Sequence, residues 1–241
     1  MVAVPTFNAK LVSTRMLAPG VRELAFERVD GTPITFLAGQ WVNLELGAED
    51  GALRRAYSLA SPPSETPRFE IAVTKVDGGP GSSRLHSMEP GEVVKVVGPQ
   101  GLFYRKQRTP SLFVATGTGY TPLRSMILDA LAHDDASPMR LIFGVRRPED
   151  RLYADELAAL ASRYPNFRAE YTLSLPDPGW TGKTGYVQTH VRALHDGLAS
   201  LEAGQINVYI CGLHRMVGSV RDLLRKEMGL LRQQVHSERY D

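Results

Sequence analysis

Three short stretches of the chain hold residues whose types and spacing could do chemistry. The first is Arg55-Ala56-Tyr57-Ser58, set between two strand-like runs. In an extended chain alternate side chains share a face, so Arg55 and Tyr57 point one way and Ser58 the other. That layout is either ordinary barrel surface or a platform for a flat, charged ligand. The second stretch is "DGGPGSSRLHSM", Asp77 to Met88. Here Gly81, Ser82 and Ser83 lead into a short helical segment and offer backbone amides and hydroxyls to an anion. A hairpin turn followed by an N-capped helix would read the same way. The third is "ATGTGYTPL", Ala115 to Leu123, where Gly117 and Gly119 let the backbone turn sharply and approach a ligand. Amides at the start of the following helix favour a pyrophosphate. Tyr120, Thr121 and Pro122 leave no third glycine where the full dinucleotide fingerprint needs one, so a plain strand-to-helix turn is the alternative. Two candidate diphosphate cradles in one chain suggest two nucleotides. Cys211 adds a further group: it ends the apolar run "INVYICG", and Gly212 beside it permits close approach of a ligand. Without a ligand, such a cysteine is a small buried hydrophobe.

Composition narrows the classes. The 241 residues are 43% hydrophobic and 22% charged, as in ordinary soluble proteins, and can bury a substantial core. A net charge of +2 is too small to argue for nucleic acid or an anionic membrane as partner. No apolar run is long enough to cross a bilayer, and "MVAVPTFNAK" lacks the charged-then-apolar order of a secretion signal. The expectation is a cytoplasmic monomer without nucleic-acid or membrane partners. With Cys211 as the single cysteine, neither an internal disulfide nor an iron–sulfur cluster held by four cysteines of this chain can form. The histidines show no metal-ligand spacing, and His190 and His195 read as helix-surface residues, so no metal is expected.

The elements that must position these groups come in two rhythms. Up to about Arg105, "KLVSTRML", "VRELAFER", "WVNLELG", "RFEIAVTKV" and "EVVKVVG" are short strand-like segments broken by Gly, Pro and Asp, with one short helical candidate, "SSRLHSM". That pattern predicts an antiparallel β-barrel. From Ser111 strand-like and helix-like segments alternate: "SLFVATG", "TPLRSMILDALAH", "MRLIFGV", "YADELAALASRY", "FRAEYTLS", "VQTHVRALHDGL", "INVYICG" and "HRMVGSVRDLLRKEM". Alternation predicts right-handed crossovers and an α/β doubly wound parallel sheet. The expected division is residues 1–106 and 107–241, within the polar segment Tyr104 to Pro110.

Taken in order, Arg55-Ala56-Tyr57-Ser58, Gly79-Pro80-Gly81-Ser82, Gly117-Thr118-Gly119-Tyr120-Thr121-Pro122, Cys211-Gly212 and Glu238-Arg239-Tyr240 resemble the ferredoxin–NADP(+) reductase family. The resemblance runs from about Phe7 to the C-terminus. It implies an FAD-binding barrel followed by an NAD(P)H-binding domain, with NADPH or NADH as substrate. It also implies that Arg55 holds the FAD pyrophosphate, a task suited to a guanidinium fork. Tyr57 would lie against the isoalloxazine and Ser58 would hydrogen-bond near flavin N5. Ala72, Val73, Thr74, Gly81, Ser82 and Ser83 would complete the FAD site. Gly117, Thr118, Gly119 and Thr121 would serve the nicotinamide nucleotide, with Cys211 beside the ring and Glu238 orienting it or relaying protons. Tyr240 resembles the tyrosine that covers the flavin in plant-type members, here followed by an extra Asp241.

A 2′-phosphate needs cations near the ribose. Arg146, Arg147 and Arg151 in the loop after the second parallel strand could supply them, with Lys183 a further candidate. NADP-specific members often carry Ser-Arg after the third strand, where this chain has Ser174-Leu175, which favours NADH; the three loop arginines tip the expectation to NADPH. The resemblance implies electron transfer to a separate carrier such as a ferredoxin or flavodoxin. Arg54, Arg84, Arg105, Lys106 and Arg108 could form a basic rim for an acidic carrier. Free flavin as the acceptor, a role as the NADH-dependent reductase component of an oxygenase, and a nucleotide-binding accessory subunit are the alternatives.

Overall fold

The computed structural model describes residues 4–47, 53–201 and 204–240. By contact the chain divides into two units: the first runs to Arg105 and takes in Arg124–Asp129, and the second holds Lys106–Leu123 and the chain from Ala130 onward.

In the first unit, β1 (Thr6–Ala18), β2 (Val21–Arg28), β3 (Trp41–Glu45), β4 (Arg54–Ser58), β5 (Arg68–Thr74) and β6 (Val93–Gln100) form a six-stranded sheet in the order β4-β3-β6-β1-β2-β5. Every pairing is antiparallel. The sequence repeats with period two, and one face is buried: Phe7, Leu11, Leu24, Phe26, Val42, Leu44, Ile71 and Val96 share one core. Phe26 stacks on Phe69 at 5.4 Å, and Phe7 meets Phe69 edge-on at 6.3 Å. The chain leaving β4 reaches the opposite edge, where the Ala60 amide donates to the Glu70 carbonyl at 2.7 Å. That bond joins the two ends of the sheet in the manner of a barrel. A helix, α1 (Pro80–Ser87), follows β5. Its last turn is held by the Arg22 guanidinium, which donates to the Leu85 and His86 carbonyls at 3.2 and 2.5 Å.

The second unit contains a parallel sheet ordered β10-β9-β8-β7-β11-β12. The strands are β7 (Ser111–Thr116), β8 (Met139–Val145), β9 (Phe167–Leu173), β10 (Lys183–Thr184), β11 (Asn207–Leu213) and β12 (Val235–Tyr240). Every neighbouring pair is parallel. The helices α2 (Tyr120–Ala132), α3 (Ala154–Arg163), α4 (Gln188–Ala199) and α5 (His214–Asp222) lie between strands in the chain. β7 is buried from Ser111 to Ala115, as its unbroken apolar run demands of a central parallel strand. From β7 the chain winds outward through β8 to β10, then returns to the other side as β11. The strand order therefore reverses between β7 and β11, and the carboxyl ends of those two strands open the crevice where ligands of such sheets bind. β12 was not read as a strand in the sequence. It lies parallel to β11 in a register that sets Glu238 opposite Cys211 and Tyr240 opposite Leu213.

Candidate functional site

In the first unit the side chains of interest converge on β4 and the start of α1. β4 is an edge strand, so only β3 pairs with it. Arg54, Arg55 and Ala56 are exposed, Tyr57 is half-buried against the barrel core and Ser58 is buried, so burial rises along the strand towards Ser58 and does not alternate. Burial pushes the Tyr57 hydroxyl up to about 12, against the pull of the Arg55 charge, so its ring stays neutral at physiological pH. Gly81 is buried at the second position of α1, and a Cβ there would fall 2.8 Å from Arg55 Cγ. The aliphatic stem of Arg55 thus crosses the helix start, and its guanidinium donates to the Arg54 carbonyl at 2.9 Å. The fork and the helix amides lie side by side, a donor set that suits a pyrophosphate.

The serines of this turn differ. The Ser82 hydroxyl is turned inward: it accepts from the Val76 amide at 3.1 Å and donates to the Gly79 carbonyl at 3.1 Å, closing the loop before the helix. Ser83 is exposed, and its amide donates to the Gly79 carbonyl at 3.0 Å. On β5, Ala72 and Val73 are buried and Thr74 is exposed; His86 Nε2 bonds the Val73 carbonyl at 2.9 Å, linking β5 to α1.

In the second unit, a 3-10 turn, Gly117–Gly119, connects β7 to α2. Gly117 has φ +52°, the left-handed region that glycine tolerates, and space around it is open. Gly119 is there for a different reason. A Cβ on it would lie 2.5 Å from the Cys211 carbonyl oxygen and from the Gly212 nitrogen and Cα. The glycine turn therefore rests directly on the end of β11. Gly212, at φ +145°, is in turn crowded by Thr116, whose hydroxyl accepts from the Leu213 amide at 3.2 Å. Thr116 is a site residue that the sequence reading passed over, since a threonine closing a strand carries no pattern of its own.

Around this junction the Thr121 hydroxyl donates to the Thr118 carbonyl at 2.9 Å and lies 3.3 Å from the Tyr240 hydroxyl. Cys211 is buried, and burial together with the Glu238 charge raises its thiol well above the usual range. A hydrogen bond from the Tyr240 hydroxyl and one from the Gly212 amide pull the other way without reversing the shift. Cys211 is thus a neutral thiol at physiological pH, unsuited to act as a nucleophile. The switch point brings Gly117, Thr118, Gly119, Thr121, Cys211, Glu238 and Tyr240 together; Asp241 lies outside the described residues.

The cations proposed for a 2′-phosphate divide. Arg146 and Arg147 are exposed directly after β8, and the Leu175 amide donates to the Arg146 carbonyl at 2.8 Å, which sets Ser174-Leu175 alongside. Arg151 is half-buried, with its guanidinium 5.7 Å from the Tyr171 ring and 5.5 Å from the Trp180 ring. Lys183 is 3.5 Å from Glu170. Of the cations considered for docking, Arg54 is paired with Glu45 at 2.5 Å and Arg84 with Glu92. Among the described residues no cluster of His, Cys, Asp or Glu could hold a metal ion, and no helix is long and apolar enough to cross a membrane.

Residues 8–104 match the oxidoreductase FAD-binding domain, and residues 113–222 match the oxidoreductase NAD-binding domain. The two matches define a flavin- and nicotinamide-dependent oxidoreductase. Over 244 aligned residues the chain is 51% identical to Ferredoxin--NADP reductase B of Sorangium cellulosum (strain So ce56), covering 100% of each. It is 31% identical to the toluate 1,2-dioxygenase electron transfer component of Pseudomonas putida, covering 92% of this chain but 64% of that protein. Among solved structures, a ferredoxin NADP+ reductase from Neisseria gonorrhoeae with bound FAD and NADP superposes with a TM-score of 0.82 at 20% identity, covering 97% of this chain and 98% of that one. The chain belongs to the ferredoxin–NADP reductase-like family. It uses FAD as cofactor and takes electrons from NAD(P)H.

The two glycines of the nucleotide turn should respond differently to a methyl group. Gly119→Ala drives a Cβ into backbone that cannot yield, and should cost about 3 kcal/mol. Gly117→Ala meets only its unfavourable φ, and should cost about 1 kcal/mol. Urea unfolding of both variants measures the difference. Equal losses would mean that neither glycine is required by the approach to β11.

Proposed function

We propose that this chain is a monomeric, cytoplasmic reductase that carries electrons from NADPH through FAD to a separate one-electron carrier, a ferredoxin or flavodoxin. The observation that carries the reading is the pairing of two phosphate-binding starts, Arg55 over Gly81 in one unit and the Gly117–Gly119 turn against Cys211-Gly212 in the other. Full-length identity of 51% to a ferredoxin–NADP reductase supports the carrier. The single cysteine supports it too, since this chain cannot itself hold a four-cysteine cluster to receive the electrons. The second reading, the reductase component of an oxygenase, draws on the 31% identity to the toluate dioxygenase component.

When bound, FAD supplies the conversion between a two-electron donor and one-electron acceptors. The protein's part is position and electrostatics. Arg55 and the amides at Gly81 and beyond would neutralise the FAD pyrophosphate, and the neutral Tyr57 ring would back the flavin. Ser58 would offer a hydroxyl to the flavin's reacting edge. At the other nucleotide, the amides of the Gly117–Gly119 turn and the Thr121 hydroxyl hold the pyrophosphate end. The uncharged Cys211 thiol forms a small, polarisable wall for the nicotinamide, and Glu238 balances positive charge on its oxidised form. Tyr240, already bonded to Thr121 and Cys211, would have to give way to a nicotinamide ring placed beside Cys211. Arg146 and Arg147 read the 2′-phosphate together with Ser174; Arg151 instead braces the loop through Tyr171 and Trp180.

Anaerobic mixing of the flavin-loaded protein with NADPH and with NADH should bleach the visible flavin band faster with NADPH. Bleaching by neither coenzyme would remove the reductase reading. The double variant Arg146→Ala, Arg147→Ala should raise KM for NADPH about tenfold or more, since exposed charge-assisted contacts of at least about 1.5 kcal/mol are lost, and leave KM for NADH unchanged. A parallel rise for both coenzymes would show that these arginines do not read the phosphate. Arg55→Ala should purify with less FAD than the parent, by at least about tenfold in affinity. Full flavin content in that variant would take Arg55 out of the site.

A further inference from the structure

The segment that follows Ser58 is held by side chains that neither nucleotide needs. β4 ends at Ser58, and from there the Leu59 amide donates to the Gln40 carbonyl at 2.9 Å and the Ala60 amide to the Glu70 carbonyl at 2.7 Å. Ala60 and Ser61 lie beyond the end of β4, and Pro62 and Pro63 follow without amide hydrogens to donate. Arg124 and Ser125, which cluster with the first unit, fill that gap. Arg124 Nη1 donates to the Ala60 carbonyl at 2.9 Å and to Glu70 Oε2 at 2.8 Å. Ser125 Oγ donates to the Ser61 carbonyl at 2.7 Å, and Ser61 Oγ accepts from the Glu70 amide at 3.0 Å. Arg124 is 6% exposed and Ser125 fully buried. A guanidinium withdrawn from water to this degree is costly unless its charge and donors are met, and here Glu70 and a backbone carbonyl meet them.

We propose that Arg124 and Ser125 are positioning residues for the flavin. By gripping the carbonyls of Ala60 and Ser61 they set the depth and direction of the chain leaving β4, and so the place of the Ser58 hydroxyl two residues earlier. The inference rests on the reading that Ser58 faces the flavin. It adds that the placement of Ser58 comes from a buried arginine and serine far along the chain as well as from the pairing of β4 with β3. Neither side chain touches the cofactor in this account.

The test uses the full chain in four forms: parent, Ser58→Ala, Ser125→Ala and Arg124→Lys. For each, the dissociation constant of FAD is measured by adding FAD back to the deflavinated protein, and the visible absorption band of the loaded protein is recorded. Ser58→Ala should weaken FAD binding and move the band. Ser125→Ala, which loses one neutral hydrogen bond, should weaken FAD about fivefold and move the band in the same direction. Arg124→Lys keeps the charge for Glu70 and loses the fork, and should give a smaller change in both readouts. A Ser125→Ala protein with the parent's FAD affinity and band, beside a Ser58→Ala protein in which both change, overturns the proposal and leaves the reading of Ser58 standing. A lowered melting temperature in Ser125→Ala with an unmoved band also overturns it, since that is support of the barrel alone. Parent-like values in Ser58→Ala remove the reading of Ser58, and the proposal with it.

Discussion

The approach of Gly119 to the end of β11 is the constraint on which the nucleotide half of the site depends. The distance of 2.5 Å from an added Cβ to the Cys211 and Gly212 backbone leaves no room for any side chain. Because the turn rests on backbone, its height above the sheet is set by covalent geometry and by the strand ladder, neither of which repacks readily. The other groups of the junction follow from it. Cys211 is buried beneath the turn, Thr116 closes the seam between β7 and β11, and the parallel pairing of β12 delivers Glu238 and Tyr240 to the same place. The reversal of strand order supplies the crevice, and this contact fixes its floor.

The flavin half is built on a different economy of contacts. Its platform is an edge strand, with one ladder partner in place of two, and edges are where strands drift. Stiffness comes from side chains crossing to the backbone. Arg55 lies over Gly81, Ser82 closes the loop ahead of α1, Arg22 holds the end of that helix, and His86 ties the helix to β5. Each hydrogen bond among them is of modest net worth, about 1 kcal/mol. Together they restrain a surface that the sheet alone would leave mobile.

How far this was legible in the sequence differs by element. The run "VRELAFER" is β2 residue for residue, and the unbroken apolar run before Gly117 is the central strand of the parallel sheet. These are local signals. β12 escaped notice because "VHSERY" is polar, and its strand conformation comes from the β11 edge waiting for a partner. Ser82 and Arg151 show a second limit. Both have the chemistry of phosphate ligands, yet the structure turns one into a loop clasp and the other into the filling between Tyr171 and Trp180, contacts that no spacing rule reports. The polar pair Arg124-Ser125 inside the otherwise apolar "PLRSMIL" was a legible anomaly, but its meaning lay in two carbonyls more than sixty residues away.

That same pair bears on how such proteins can be recombined. Family descriptions divide the chain into a flavin module ending at residue 104 and a nucleotide module beginning at 113, as if a cut between them were clean. The contacts divide it otherwise, because Arg124–Asp129 belongs with the module that precedes the linker. A barrel taken by gene fusion at the linker would arrive with Glu70, the buried Ala60 carbonyl and the partly buried Ser61 carbonyl lacking their partners, the sort of deficit that costs a fold more than a missing contact on its surface. Exchange of modules among such reductases is therefore constrained by a few helix positions outside the transplanted sequence, and a functional chimera would have to carry a matching arginine and serine in the host.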